Sequence, residues 1–130
     1  MASEAPIIAY LLADSSVSSL VGQRISPQLR RQGDAVPAIV YEVVDVTRYD
    51  TLASKSTLSR MTLRFDCVAE SYALARSVAM AVRTCLDGAS FTGVDRTSVQ
   101  GETSSVAAPD YGQGDAERIT TLTVVAWIQE

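Results

Sequence analysis

The sequence predicts a two-layer α+β domain, with helices packed on one face of an antiparallel or mixed β-sheet. Three observations carry this. Met61, Leu63, Phe65, Cys67 and Ala69 alternate with the mostly polar Thr62, Arg64 and Asp66, the pattern of a half-buried strand. Ala75, Val78, Ala79, Val82, Cys85 and Leu86 fall on one helical stripe. The closing run from Arg118 to Ile128 is rich in Thr, Val and Ile and carries Trp127, residues that fit a pleated surface. A length of 130 residues suits one domain over 1–130. At 47% apolar the chain can build a core without disulfide or metal staples.

Taken in order, Ser3 can cap a helix that begins near Pro6, a residue tolerated in a first turn. Ile8, Leu11 and Leu12 supply its apolar face. Asp14-Ser15-Ser16 breaks the run and can cap a second short helix, which closes at Leu20, Val21 and Gly22. Arg24-Ile25-Ser26 is a short extended piece ending at Pro27, and Gln28 to Asp34 is a polar loop. Pro37 opens a strand from Ala38 to Val46 that is apolar on both faces, which suits an interior strand or one whose second face meets a partner.

Residues 47–59 form a polar arm joining that strand to the alternating one, so the pair reads as a long hairpin. Ser71 caps the best helix, which runs to Cys85 or Leu86 and ends at Gly88. Phe91 to Val99 supplies one or two short strands. The glycine-rich stretch at about 101–117 reads as a flexible loop.

The chemistry-bearing residues are sparse. There is no histidine, which removes Ser-His-Asp and Cys-His dyads and the commonest metal ligand. Cys67 and Cys85, far apart in sequence, do not make a zinc site and read as buried thiols acting as small hydrophobes. Gly112-Gln113-Gly114 lacks the strand-turn-helix context of a nucleotide loop. Carboxylates pair in sequence as Glu42 with Asp45, Asp66 with Glu70 and Asp110 with Asp115. On a regular strand Glu42 and Asp45 point to opposite faces, and Asp66 and Glu70 suit a solvated face. No catalytic, cofactor-binding or metal-binding residues are expected, and no cofactor.

The formal net charge is −4, and the basic residues are scattered, Arg30-Arg31 being the only adjacent pair. Such a chain is poorly suited to gripping phosphates. Met1-Ala2-Ser3-Glu4 lacks the basic region of a secretory signal, and the apolar run Ile7–Leu12 is too short to span a membrane. Synthesis in the cytosol with reduced thiols and no membrane partner is therefore expected. Charged residues make up 20% of the chain against a usual share of about 25%, which points to some surface covered by partners.

Four blocks, read in order, resemble the tail-completion (tail-terminator) proteins of long-tailed bacteriophages. They are Ala9-Tyr10-Leu11-Leu12 through Val17 to Leu20-Val21-Gly22; Arg24-Ile25 with Pro27; Gln32-Gly33 with Pro37-Ala38-Ile39-Val40-Tyr41; and Phe65-Asp66-Cys67-Val68-Ala69 with Tyr72, Ala75 and Leu86-Asp87-Gly88. A Val-rich strand with a late aromatic, Trp127, closes the pattern. The resemblance implies a structural virion protein, not an enzyme, made in the bacterial host cytoplasm and placed in the tail or neck. It implies a homo-hexameric ring that caps the tail tube, ends its growth and joins it to the head-side neck. The partners implied are further copies of the chain, the tail-tube protein and the neck connector. DNA passes through the lumen without specific binding, and gene-transfer agents use the same part.

A closed ring needs two different patches that fit each other. The polar arm is longer than the 2–5 residues hairpin loops usually take. Arg48, Tyr49, Asp50, Leu52 and Lys55 are its candidate protein-contact residues. Two other readings fit the same residues: another neck or head-completion connector, and a small non-catalytic ligand-binding α+β module.

Overall fold

The computed structural model describes residues 4–27, 37–48, 58–107 and 117–129. The order of elements is α1 (Ala5–Ala13), α2 (Ser15–Val21), β1 (Ile25–Pro27), β2 (Ala38–Arg48), β3 (Leu58–Ala69), α3 (Tyr72–Leu86), β4 (Val94–Ala107) and β5 (Glu117–Gln129). The strands form one sheet in the order β1-β2-β3-β5-β4. β1 runs parallel to β2 and every other neighbouring pair is antiparallel, so the sheet is mixed. The three helices bury their apolar stripes against one face, which is the α+β architecture expected.

Local chemistry explains the helix ends. Asp14 accepts the backbone N–H groups of Ser16 at 2.9 Å and Val17 at 3.1 Å, so it caps α2 as its position before two serines suggests. Gly22 closes α2 with φ 59°, a backbone state that favours glycine. Ser71 caps α3 by accepting from the N–H of Leu74 at 3.2 Å. The α3 stripe is the one the spacing gives: Ala75, Val78, Ala79, Val82, Cys85 and Leu86 are all buried.

The first helix departs from expectation. Its N-cap is Glu4, with no side-chain cap bond, and Ser3 lies outside the described residues. Its buried residues are Ile7 and Leu11, one turn apart; Ile8 is half-buried and Leu12 exposed. In nine residues rich in apolar side chains on every side, spacing alone does not choose the buried face, and packing against α2 and α3 over the common core does. Tyr10, on the outer side, stacks on Phe91 with ring centroids 4.2 Å apart. Phe91 sits in the tight turn that leads into β4, where Gly93 has φ 86°.

On β3, Met61, Leu63, Phe65, Cys67 and Ala69 are buried, as the alternation requires. Across the register, Leu122, Val124, Ala126 and Ile128 of β5 extend the same face, as does Ile39 of β2. Phe65 lies at the middle of this layer with no exposed surface. Its replacement by Ala would cost about 3–5 kcal/mol, the range for truncating a buried aromatic.

Three expectations are corrected. β2 continues through Thr47 and Arg48 and β3 begins at Leu58, so the arm joining them is shorter than 47–59; residues 49–57 lie outside the described residues. Residues 101–107, expected as loop, continue β4 as a 14-residue strand paired with β5. β5 decides this by offering backbone partners to 101–107 along its residues 117–123. Glu42 and Asp45 lie on the same face, not on opposite ones. A register shift between Val43 and Asp45 inserts one residue, so Glu42 pairs with Arg64 and Asp45 with Thr62, two residues apart on β3.

Candidate functional site

The helix-free face of the sheet is predominantly polar. Successive cross-strand rows read Thr47, Arg60, Trp127 and Arg96; Asp45, Thr62, Val125 and Ser98; Glu42, Arg64, Thr123 and Gly101; and Val40, Asp66, Thr121 and Thr103. Basic residues scattered in sequence thus meet on one face, with Arg60 and Arg96 on either side of Trp127. No sequence motif marks this, because the gathering depends on register between strands far apart in the chain. The face is also charge-compensated: Arg64 forms an ion pair with Glu42, with its Nε 3.9 Å from Asp66 Oδ1. Asp66 accepts a hydrogen bond from Thr121 Oγ1 at 2.8 Å.

The two long edges of the sheet are each partly covered. On one side β1 pairs with β2 at Ile39–Tyr41. Val44 and Val46 lie further along β2, 56% and 41% exposed. On the other side the turn after α3 covers the start of β4. Gly88 N–H donates to the Thr97 carbonyl at 2.8 Å, and Thr97 N–H donates to the Ala89 carbonyl at 2.9 Å. The buried Thr97 hydroxyl donates to the Leu86 carbonyl at the end of α3. Asp87 Oδ1 then accepts the N–H of Val99 at 3.1 Å. Beyond that point 101–107 has no edge partner among the described residues.

Of the expected contact residues, Arg48 is the last residue of β2 and is exposed. Tyr49, Asp50, Leu52 and Lys55 lie outside the described residues. The edge run of β4 was missed in the sequence because Gly101 and the serines mask its strand character. Its alternating Thr103 and Ser105 against β5 were the available signal.

Catalytic geometry does not assemble among the described residues. No group of three or more Cys, Asp or Glu side chains there is placed to hold a metal ion. The open hollow beside α3, lined by Met80, Arg83, Thr84 and Asp87, is a surface depression, and Asp87 is already engaged with Val99. Both thiols are free and buried. Burial pushes Cys67 up to about 12, helped by the nearby Asp66 and Glu102 carboxylates. Burial likewise pushes Cys85 up to about 12, together with the charge of Asp14 and a hydrogen bond to its carboxylate. Such thiols are protonated at neutral pH and poor nucleophiles. Among the described residues no helix is long and apolar enough to cross a membrane.

The comparison with known families decides the assignment. Residues 5–128 match the family model described as tail completion protein gp17. The chain belongs to that family. It is accordingly a structural protein of a phage-type virion, and its place is in the tail. The fold of this tail completion protein is shared with a chain from a structure titled "Virion of native gene transfer agent (GTA) particle". There the TM-score is 0.68 at 19% identity, covering 95% of this chain and 92% of that one. No curated protein matches.

Proposed function

We propose that this tail completion protein forms a homo-hexameric ring on the last ring of tail-tube subunits, ends tube growth and joins the tail to the head-side neck. The observation that carries the reading is the family match, which runs through every helix and strand of the sheet. Two features of the chain support it. Among the described residues the two sides of its sheet are unlike, β1 lying beside β2 on one and the turn after α3 beside β4 on the other, as the unlike patches of a head-to-tail ring contact need to be. On its polar face Arg64 is balanced by Glu42 and Asp66, which lowers the pull of that cation on DNA moving past.

The role is architectural, without a covalent reaction. The absence of histidine and the protonated, buried state of both thiols support this. One domain over 1–130 performs it, with the arm after Arg48 reaching the tube or a neighbouring subunit through Arg48, Tyr49, Asp50, Leu52 and Lys55.

The test is deletion of the gene from the parent particle, followed by negative-stain microscopy. Overlong or unfinished tails separated from filled heads are the expected result. Tails of normal length on normal particles would contradict the reading.

A further inference from the structure

We propose that copies of this chain meet through side chains of the helix layer, the Tyr10 flank of α1 in one copy covering the Val44–Val46 shoulder of β2 in the next. This rests on the ring reading and names its contact surface. It requires no backbone pairing between copies.

The composition of α1 is the first ground. Its nine residues carry no charge, and Tyr10 is the only one with a polar side-chain atom. A helix that is apolar all round belongs in an interior. Yet Ile7 and Leu11 alone are buried, while Ala9, Tyr10, Leu12 and Ala13 are exposed, Tyr10 to 37%. The fold of one copy thus leaves α1 half covered, and a second apolar surface would complete it.

The position of α1 is the second ground. Pro6, Tyr10 and Ala13 stand at i, i+4 and i+7, so they share one flank of the helix. Tyr10 stacks on Phe91, and a Cβ placed on Gly93 would stand 3.9 Å from Pro6 Cγ. The flank therefore borders the turn into β4, the last strand on that side of the sheet.

The shoulder is the third ground. β2 lies towards the other side of the sheet. Val46 pairs with Met61, whose buried side chain marks the helix side, so Val46 points into the layer that holds α1. Val44 stands at the register shift and is the more exposed of the two. Asp45, between them, pairs with Thr62 on the helix-free face, which takes its charge off the shoulder. Arg48, two residues beyond Val46, is engaged with a partner of its own.

The two surfaces also stand level. Val94, which bridges to Phe91, shares a cross-strand row with Ile128, Ser59 and Arg48. Val46 is two residues from that row, roughly 7 Å along the strand. A copy set beside the first in the same orientation therefore brings its shoulder to the Tyr10 flank with little slide along the strands. Both surfaces are apolar and unlike, so the contact is head-to-tail and repeats from copy to copy. A like-with-like contact, α1 on α1, would stop at two copies.

The test is photocrosslinking in assembled tails. Chains with a benzophenone amino acid in place of Tyr10 or of Val44 are assembled with an excess of the wild-type chain, so that the ring forms around the probe. Both positions are exposed, so the core is untouched. Ser77, exposed on α3, carries the probe as a control. The expected result is a shift to the mass of a chain dimer for Tyr10 and Val44 but not for Ser77. Digestion after arginine should join the Tyr10 probe to the peptide 32–48. It should join the Val44 probe to the peptide 1–24 or to 84–96, which carries Phe91. Dimer adducts to other segments, or no dimer from either probe in tails that carry a ring of this chain, would overturn the contact while leaving the ring intact. Absence of any such ring at the tube end would overturn the ring reading and the contact together.

Ala13→Arg gives a second readout. Ala13 is exposed and a cation suits the last turn of a helix, so the isolated chain should keep its unfolding midpoint. Its incorporation into tails should fall about tenfold or more, because the contact would bury an unpaired cation. Unchanged incorporation would overturn the contact.

Discussion

Asp87 ends α3 and, through Oδ1, holds the N–H of Val99 at 3.1 Å, so the helix terminus closes part of a strand edge. Replacing Asp87 by Ala should free that N–H. Since the residue is exposed, the cost should be about 1 kcal/mol, the net worth of one hydrogen bond. Urea unfolding should show a lower midpoint with an unchanged slope. The lengthened open edge should also raise self-association in sedimentation velocity.

Two buried threonines on the helix side of the sheet should respond in opposite ways. The Thr97 hydroxyl is bonded to the Leu86 carbonyl, whereas that of Thr120 has no partner, nor has that of Ser59. Thr97→Val keeps shape but orphans a buried acceptor, and should lower stability by about 1–3 kcal/mol. Thr120→Val and Ser59→Ala remove hydroxyls that are unpaired, and should be neutral or stabilising by up to about 1 kcal/mol. Thermal unfolding of the three variants side by side checks the difference in sign.

The thiols give a pH dependence. Each is raised from 9.0 to about 12 in the folded chain. A raised acid contributes stability that is fully present below its unfolded pKa and lost as pH rises through the folded one. Stability should therefore fall between about pH 9 and about pH 12. Cys67→Ala should flatten part of that fall. Thiol reagents at pH 8 should react with both cysteines only after denaturation. Prompt reaction of the native chain would show that these sites are open.

Much of this was legible in the sequence. The α3 stripe, the β3 alternation and the Asp14, Ser71 and Gly22 helix ends are set by near neighbours, and spacing reports near neighbours faithfully. What spacing could not report depends on distant strands. The inserted residue at Val43/Asp45 turns Glu42 and Asp45 to one face, where Glu42 meets Arg64 twenty-two positions away. β4 extends through 101–107 because β5 supplies a partner, not because Gly101 or Ser104 favours a strand. Which strands lie at the sides of the sheet is a property of strand order and is invisible until strands are paired. The arm residues Tyr49, Asp50, Leu52 and Lys55 stand as the sequence left them.

Removal of Asp50–Thr57 tests the arm. β2 and β3 pair down to Arg48 and Ser59 and hold their register without it. The shortened chain should keep its circular dichroism and unfolding midpoint but fail to sediment with purified tail tubes. Unchanged co-sedimentation would remove the arm from the contact.

Tube length reports the central claim most directly. Purified tail-tube protein would be allowed to polymerise with increasing amounts of this chain, and lengths measured by negative-stain microscopy. The expected result is a length distribution that shortens as the chain is added, with extra density at one end of each tube. A distribution that does not change at any ratio, with bare ends, would contradict the account.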